Sequence, residues 1–451
     1  MRKTLIGAAG AVTALALAIA GCSGSPAPSG SAPASSDAAS SAPATPQTIT
    51  FLTHWGPDQV KMLEDAAANY TKANPNVTVK VQAVPFANLL TTLRTQASSP
   101  DGPTIAGIYD AWLPELARDG IAAEAPSDIA GEVTSNWPAG VVKAASQDGT
   151  VLGIPNEIDL YQLNYNQELF DKAGVKAAPK TWDELVDAAT KIKALGNGVQ
   201  GVGFITNWSS GVDHPFLSLL ASNGGSFLNE EGTAAALTTP QAAETFQLYE
   251  KLVKQGLTDI SMSPANANTT GPFLDNFAGG KTGMIIMANW WQSALEQAMG
   301  DKFSNVKTAP IPVGPSGKSS SSISYSWMTV VNANADAEKQ AAAWGFLNWL
   351  NGPDSGASGT SAMGEILLSM GIIPSRNSDI AANSAKLGTP FLKSYVDAAA
   401  SATPFPTVIG GTAAADALQK DIEALLNGQV DAAAAATQAT SDVDSALKAA
   451  Q

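Results

Sequence analysis

The sequence predicts an α/β protein built in more than one lobe, on three observations. Strand and helix patterns alternate from Thr48 to Gly120, the mark of a parallel sheet covered by helices. At 451 residues the chain exceeds what one hydrophobic core usually serves. The third is the stretch 149–170. It opens as a turn at Asp148-Gly149, runs extended through Val151, Leu152 and Ile154, and meets Pro155, which holds Ile154 in β or polyproline geometry. Beyond it Leu160, Leu163 and Tyr165 mix with Glu157, Asp159 and Tyr161. An apolar strand carrying two carboxylates and a tyrosine suits a chain that crosses between lobes with its polar groups on a cleft.

Taken in order, residues 1–22 are a processing segment. Arg2 and Lys3 precede an uncharged apolar run from Leu5 to Ala20, shorter than the roughly 20 residues a membrane helix needs. The run ends in Ile19-Ala20-Gly21-Cys22, which resembles a bacterial lipobox, and Cys22 is the sole cysteine. Lipidation of Cys22 is therefore expected. Residues 23–47, rich in Ser, Pro and Ala, cannot bury a core and read as a tether spanning about 25–30 Å. The folded body begins at Thr48 and is expected outside the cell, close to a membrane surface.

Strands are expected at 49–53, 77–81 and 104–109, with helices at 58–73 and 89–96 between them. Ligands in such sheets bind beyond the carboxyl ends of the strands, where His54-Trp55 and Asp110-Ala111-Trp112 fall. Thr181 and Glu184 form a capping box for a helix with Leu185, Ala189 and Ile192 inward. A strand at 201–205 leads to Asn207-Trp208, and His214 is expected to start a helix. The apolar run 283–287 leads to Asn289-Trp290-Trp291. Segments 306–315 and 372–376 are second and third candidate crossings, and 325–331 reads as one strand. The remainder is helical and rich in alanine.

Composition excludes several functions. With 25 Lys plus Arg against 40 Asp plus Glu, the net charge is −15, which argues against nucleic acid as a partner. One cysteine and two histidines leave no disulfide and no zinc site, and no cofactor or metal is expected. P-loop, metalloprotease and Gly-x-Ser-x-Gly motifs are absent.

Gly153-Ile154-Pro155 with 159–166, Leu169-Phe170, 179–185, Gly224-Gly225, 283–290, Ile311-Pro312 and Gly314-Pro315 resemble, in order and spacing, the extracellular solute-binding proteins of family 1. The resemblance covers about residues 48–451. It implies a two-lobed periplasmic-binding-protein-like fold (type II) with a three-segment hinge, in which 48–156 plus 310–371 form one lobe and 157–309 plus 372–451 the other. It implies capture of a carbohydrate, expected to be a di- or oligosaccharide, by a monomer that delivers it to the permease subunits of an ABC transporter. A non-sugar solute such as a polyamine or peptide, or a glycoside-processing enzyme, are the alternatives.

A sugar presents C–H faces to aromatic rings and hydroxyls to paired polar groups, and each group left unpaired costs about 1–3 kcal/mol. Trp55, Trp112, Trp208, Trp290 and Trp327, at strand ends, are the candidate stacking residues, with Trp291 a packing neighbour. Trp137, Trp182, Trp344 and Trp349 are expected to pack. The resemblance places Trp290 first, and puts Asp110 and Asp159 where carboxylates bond sugar hydroxyls. Glu157, Tyr161, His54, Asn207 and Arg376 complete the candidate site.

Overall fold

A computed structural model describes residues 45–266 and 271–451. The processing segment, Cys22 and the tether up to residue 44 lie outside the described residues. Among the described residues no helix is long and apolar enough to cross a membrane.

Two main sheets carry the fold. The first runs in the order Val77–Ala83, Gln47–Thr53, Ile105–Tyr109, Trp327–Val331, Gly153–Pro155. Its first three strands are parallel and the last two join antiparallel. Ile49 and Phe51 point to one core, beneath the face of helix Pro57–Ala73 that buries Leu63, Ala66, Ala67 and Tyr70. That spacing of three and four residues is why the segment is helical and why this face is inward.

The second sheet is organised on one long strand, Glu157–Asn166, flanked by Ile323–Tyr325 and Thr282–Ala288. Val306–Ala309 and Ile373–Pro374 also pair antiparallel with it. Buried on both faces, it reads as a nearly continuous buried run, which explains why Leu160, Leu163 and Asn164 are all inaccessible. Helices Gly411–Leu426 and Ala432–Ala450 pack on each other and on helices Ser209–Ser222 and Pro240–Lys254 behind this sheet. Their alanines permit the close approach.

Local signals act as their chemistry requires. Asp148 and Gly149, both at positive φ, form the two-residue turn between Ser146–Gln147 and Thr150–Val151. At helix Trp182–Lys193, Thr181 Oγ1 accepts from Glu184 N at 3.3 Å, and the Glu184 carboxylate accepts from Lys180 N at 2.6 Å. Thr181→Ala should cost about 1 kcal/mol, read as a shift in urea midpoint. An unchanged midpoint would show that the cap contributes nothing.

The chain steps from the first sheet to the second at Asn156. The second step differs from expectation. Val306–Ala309 and Ile323–Tyr325 both pair with Glu157–Asn166, so the chain remains in the second sheet well beyond residue 310. The Pro/Gly-rich segment after Ala309 runs beside helix Trp182–Lys193, where Trp182 N donates to Val313 O. The step comes instead at Ser326, inside what reads from sequence as one strand. Ser326 leaves the ladder because other partners take its polar groups. Its N–H donates to Asp110 Oδ2 at 2.8 Å, its hydroxyl donates to Glu157 O, and its carbonyl accepts from Asp110 N.

Candidate functional site

A cavity of about 300 Å³ opens where the carboxyl ends of the first sheet's parallel strands face the second sheet. His54, Trp55 and Tyr109 follow or end strands of the first sheet, and Trp327 begins the strand next to Tyr109. Glu157, Asp159, Trp208, His214, Trp290 and Tyr325 line the opposing side. Four half-exposed indoles, those of Trp55, Trp208, Trp290 and Trp327, therefore stand in one space.

Glu157 and Asp159 share a side because alternate strand residues face the same way. They are only 4% and 1% exposed. Asn289, at the end of strand Thr282–Ala288, orients Asp159. Its amide donates to Asp159 Oδ1 at 2.9 Å while its own oxygen accepts from Leu160 N at 3.0 Å. Desolvation, and then the neighbouring Asp159, push Glu157 well above the usual carboxylate range; desolvation also raises Asp159.

His214 lies inside helix Ser209–Ser222, 2% exposed, rather than at its start. Its ring joins the two sheets, with Nε2 at 3.2 Å from the Tyr109 hydroxyl and Nδ1 at 3.2 Å from the Tyr161 hydroxyl. Burial lowers His214 to about 3 and His54 to about 4, so both rings are neutral at pH 7. A neutral imidazole donates through one nitrogen and accepts through the other, which suits a bridge between two phenols. Trp290 Nε1 donates to the Tyr325 hydroxyl, which sets the indole's orientation.

The remaining expected residues lie elsewhere. Asp110 is 3% exposed behind the wall, and burial raises it to about 8. Trp112 is buried against Phe86 and Trp327. Tyr161 lies beneath the cavity lining, bonded to His214. Asn207 is exposed at positive φ, and its N–H donates to the Glu423 carboxylate. Arg376 is 6% exposed, paired with Glu132 at 2.8 Å and lying over the Trp137 ring. Trp291 is fully buried between Phe273 and Phe277.

Sequence reasoning passed over Phe86, Tyr109 and His214 as cavity residues and left Tyr325 undecided. The signal available for Tyr109 was its place at a strand end, directly before Asp110. No local signal marks Phe86 or His214.

The family model described as bacterial extracellular solute-binding protein matches residues 56–357. The diacetylchitobiose binding protein of Streptomyces coelicolor is 26% identical over 303 residues, 64% of this chain and 64% of that protein. The arabinooligosaccharide-binding protein of Halalkalibacterium halodurans is 24% identical over 303 residues, 65% of each chain. Among solved structures, the cyclic alpha-maltosyl-1,6-maltose binding protein of Arthrobacter globiformis superposes with a TM-score of 0.73 at 25% identity, covering 90% of this chain and all of that one. The shared architecture is the two-lobed α/β form. With the family model spanning well over half its length, this chain belongs to the bacterial extracellular solute-binding proteins.

Proposed function

We propose that this protein is the extracytoplasmic receptor of an ABC importer, and that it captures a carbohydrate in the cavity between its two sheets. One observation carries the reading: four half-exposed indoles and two buried carboxylates converge on a single cavity in a chain of this family. The indole faces match the C–H faces of a sugar ring, and the carboxylates, with the tyrosine hydroxyls, match its hydroxyls. The relatives that bind diacetylchitobiose and arabinooligosaccharides support a saccharide ligand.

The protein binds and releases rather than transforms. Hydrolysis of a glycosidic bond needs two carboxyls on either side of that bond, about 5–9.5 Å apart. Glu157 and Asp159 are two residues apart on the same side of one strand and perturb each other's protonation, an arrangement for holding hydroxyls. Ligand would shift the population of lobe arrangements towards the closed one, which the permease recognises. A lipid on Cys22 and the tether that follows would keep this monomeric receptor beside the membrane.

A thermal-shift screen of the purified protein against mono-, di- and oligosaccharides, amino acids and polyamines tests the reading. A saccharide at 100 times its Kd should stabilise the fold by about 2.7 kcal/mol, with no product on long incubation. No shift with any saccharide, alongside one with an amino acid or polyamine, overturns it.

A further inference from the structure

A file of hydrogen-bonded rings runs along the cavity wall. Trp290 Nε1 donates to the Tyr325 hydroxyl, and Tyr325 is in turn hydrogen-bonded to Tyr161. The Tyr161 hydroxyl lies 3.2 Å from His214 Nδ1, and His214 Nε2 lies 3.2 Å from the Tyr109 hydroxyl. Five side chains from five segments thus join the indole of Trp290, on the second sheet's side, to a tyrosine that ends a strand of the first sheet. The three tyrosines and the histidine are at most 9% exposed. Desolvation, above all, holds each phenol well above its usual range, so all three hydroxyls keep their hydrogens at pH 7.

The file has a direction. An indole N–H can only donate, so the first link runs from Trp290 to the Tyr325 oxygen. That leaves the Tyr325 hydrogen for the Tyr161 oxygen. Tyr161 then donates onward with two acceptors in reach, His214 Nδ1 at 3.2 Å and Ser210 O at 3.4 Å. The nitrogen is the closer, and a bond to it passes the direction on. A neutral imidazole that accepts at Nδ1 carries its hydrogen on Nε2, where Tyr109 is the acceptor. Among the described residues His214 is the hydrogen-bond partner of the Tyr109 hydroxyl. The hydroxyl's own hydrogen is therefore left for the cavity that Tyr109 lines.

We propose that Tyr109 is a ligand-binding residue and His214 its positioning residue: the imidazole, fixed as its Nε2–H tautomer, turns the Tyr109 hydroxyl to donate to an oxygen of the saccharide. This rests on the carbohydrate reading above and names the contact made from the first sheet. The indole faces hold ring surface whichever way its hydroxyls point, whereas this donor demands an oxygen acceptor at one place. Because the relay begins at Trp290, the ring that stacks and the hydroxyl that donates belong to one network. A saccharide touching both ties the two sheets together.

The chain has two histidines, so isotope labelling of histidine nitrogen gives two ring systems for NMR, and His54→Gln tells them apart. At pH 7 the free protein should show His214 protonated at Nε2 and bare at Nδ1. Trp290→Phe keeps an aromatic face but has no N–H, so it releases the direction of the relay and the Nδ1–H form should gain population. A histidine that merely fills space would not respond. Calorimetry of the full chain with maltose, cellobiose and diacetylchitobiose reads binding. For whichever of them binds, Tyr109→Phe should weaken affinity about three- to tenfold. His214→Leu should weaken it at least as much, whereas His214→Gln, whose amide can donate in place of Nε2, should stay within about twofold of the parent. Should His214→Leu fail to fold, Tyr109→Phe and the NMR of the free protein still decide. An Nδ1–H tautomer in the free protein, an unchanged tautomer in Trp290→Phe, or full affinity in Tyr109→Phe overturns the proposal and leaves the carbohydrate reading standing. If no saccharide binds, the carbohydrate reading and the Tyr109 contact fall together, whatever the tautomer.

Discussion

Trp290→Ala weakens saccharide binding by roughly 60-fold with little loss of stability, while Trp291→Ala does the reverse. The two neighbours stand on opposite sides of one backbone turn. Trp290 is half-exposed in the cavity, and Trp291 is fully buried between Phe273 and Phe277. A sugar laid on one indole face removes on the order of 100 Å² of apolar surface from water, about 2.5 kcal/mol at 25 cal/mol per Å². That is the fold-change given above. Truncating Trp291 instead opens a cavity in a packed core and should cost about 3–5 kcal/mol. Titration calorimetry reads the first and urea denaturation the second. If Trp291→Ala lost affinity at full stability while Trp290→Ala retained it, the assignment of the two rings would be reversed.

The second large effect is in the pH dependence of stability. An aspartate in the unfolded chain titrates near 4, whereas Asp110 in the fold is held up to about 8, chiefly by desolvation. Between those values the folded state binds a proton that the unfolded state does not. Stability from this group is therefore complete at low pH and is lost as pH rises. His54 and His214 act in the opposite sense, since burial lowers them to about 4 and 3. Their contribution grows from about pH 3 and is complete above the unfolded value near 6.5. Beyond pH 6.5 the raised carboxyls dominate. One proton over the 1.5 units to pH 8 amounts to about 2 kcal/mol. In Asp110→Asn that part of the decline should vanish, while the amide oxygen still accepts from Ser326 N. Urea midpoints at pH 5, 6.5 and 8 measure it. An unchanged slope in the variant would show that Asp110 is ionised in the fold at pH 6.5.

What was legible in the sequence was whatever a short window expresses. Glu157 and Asp159 stand out because carboxylates are anomalous in an apolar strand, and the strand period puts them on one side. Trp55, Trp208, Trp290 and Trp327 stand out because they lie at or beside strand ends. The same signal marks Trp112, whose ring turns onto Phe86 and Trp327 and lies inside the wall. Strand-end position alone does not tell which way a ring turns. His214 was hidden for a different reason. Its window reads as ordinary helix, and its two phenol partners come from positions 105 and 53 residues away. The step at Ser326 was hidden because one polar residue between Tyr325 and Trp327 barely interrupts an apolar run. Only its bonds to Asp110 and Glu157, from two other segments, make it a break. The Pro/Gly punctuation near residue 310 marked a largely buried irregular segment beside helix Trp182–Lys193 instead, since those residues disrupt helix and ladder wherever they occur.

The distribution of the indoles also makes the molecule its own optical gauge. Six of its ten tryptophans lie away from the cavity, and those in the core keep their surroundings whether or not the cavity is filled. The other four face the space a ligand would take. Displacing water from them should move their emission to shorter wavelength against a steady background from the rest. Occupancy can thus be followed at low protein concentration without any label, and replacing Trp55, Trp208, Trp290 or Trp327 singly by phenylalanine would show which ring carries the change.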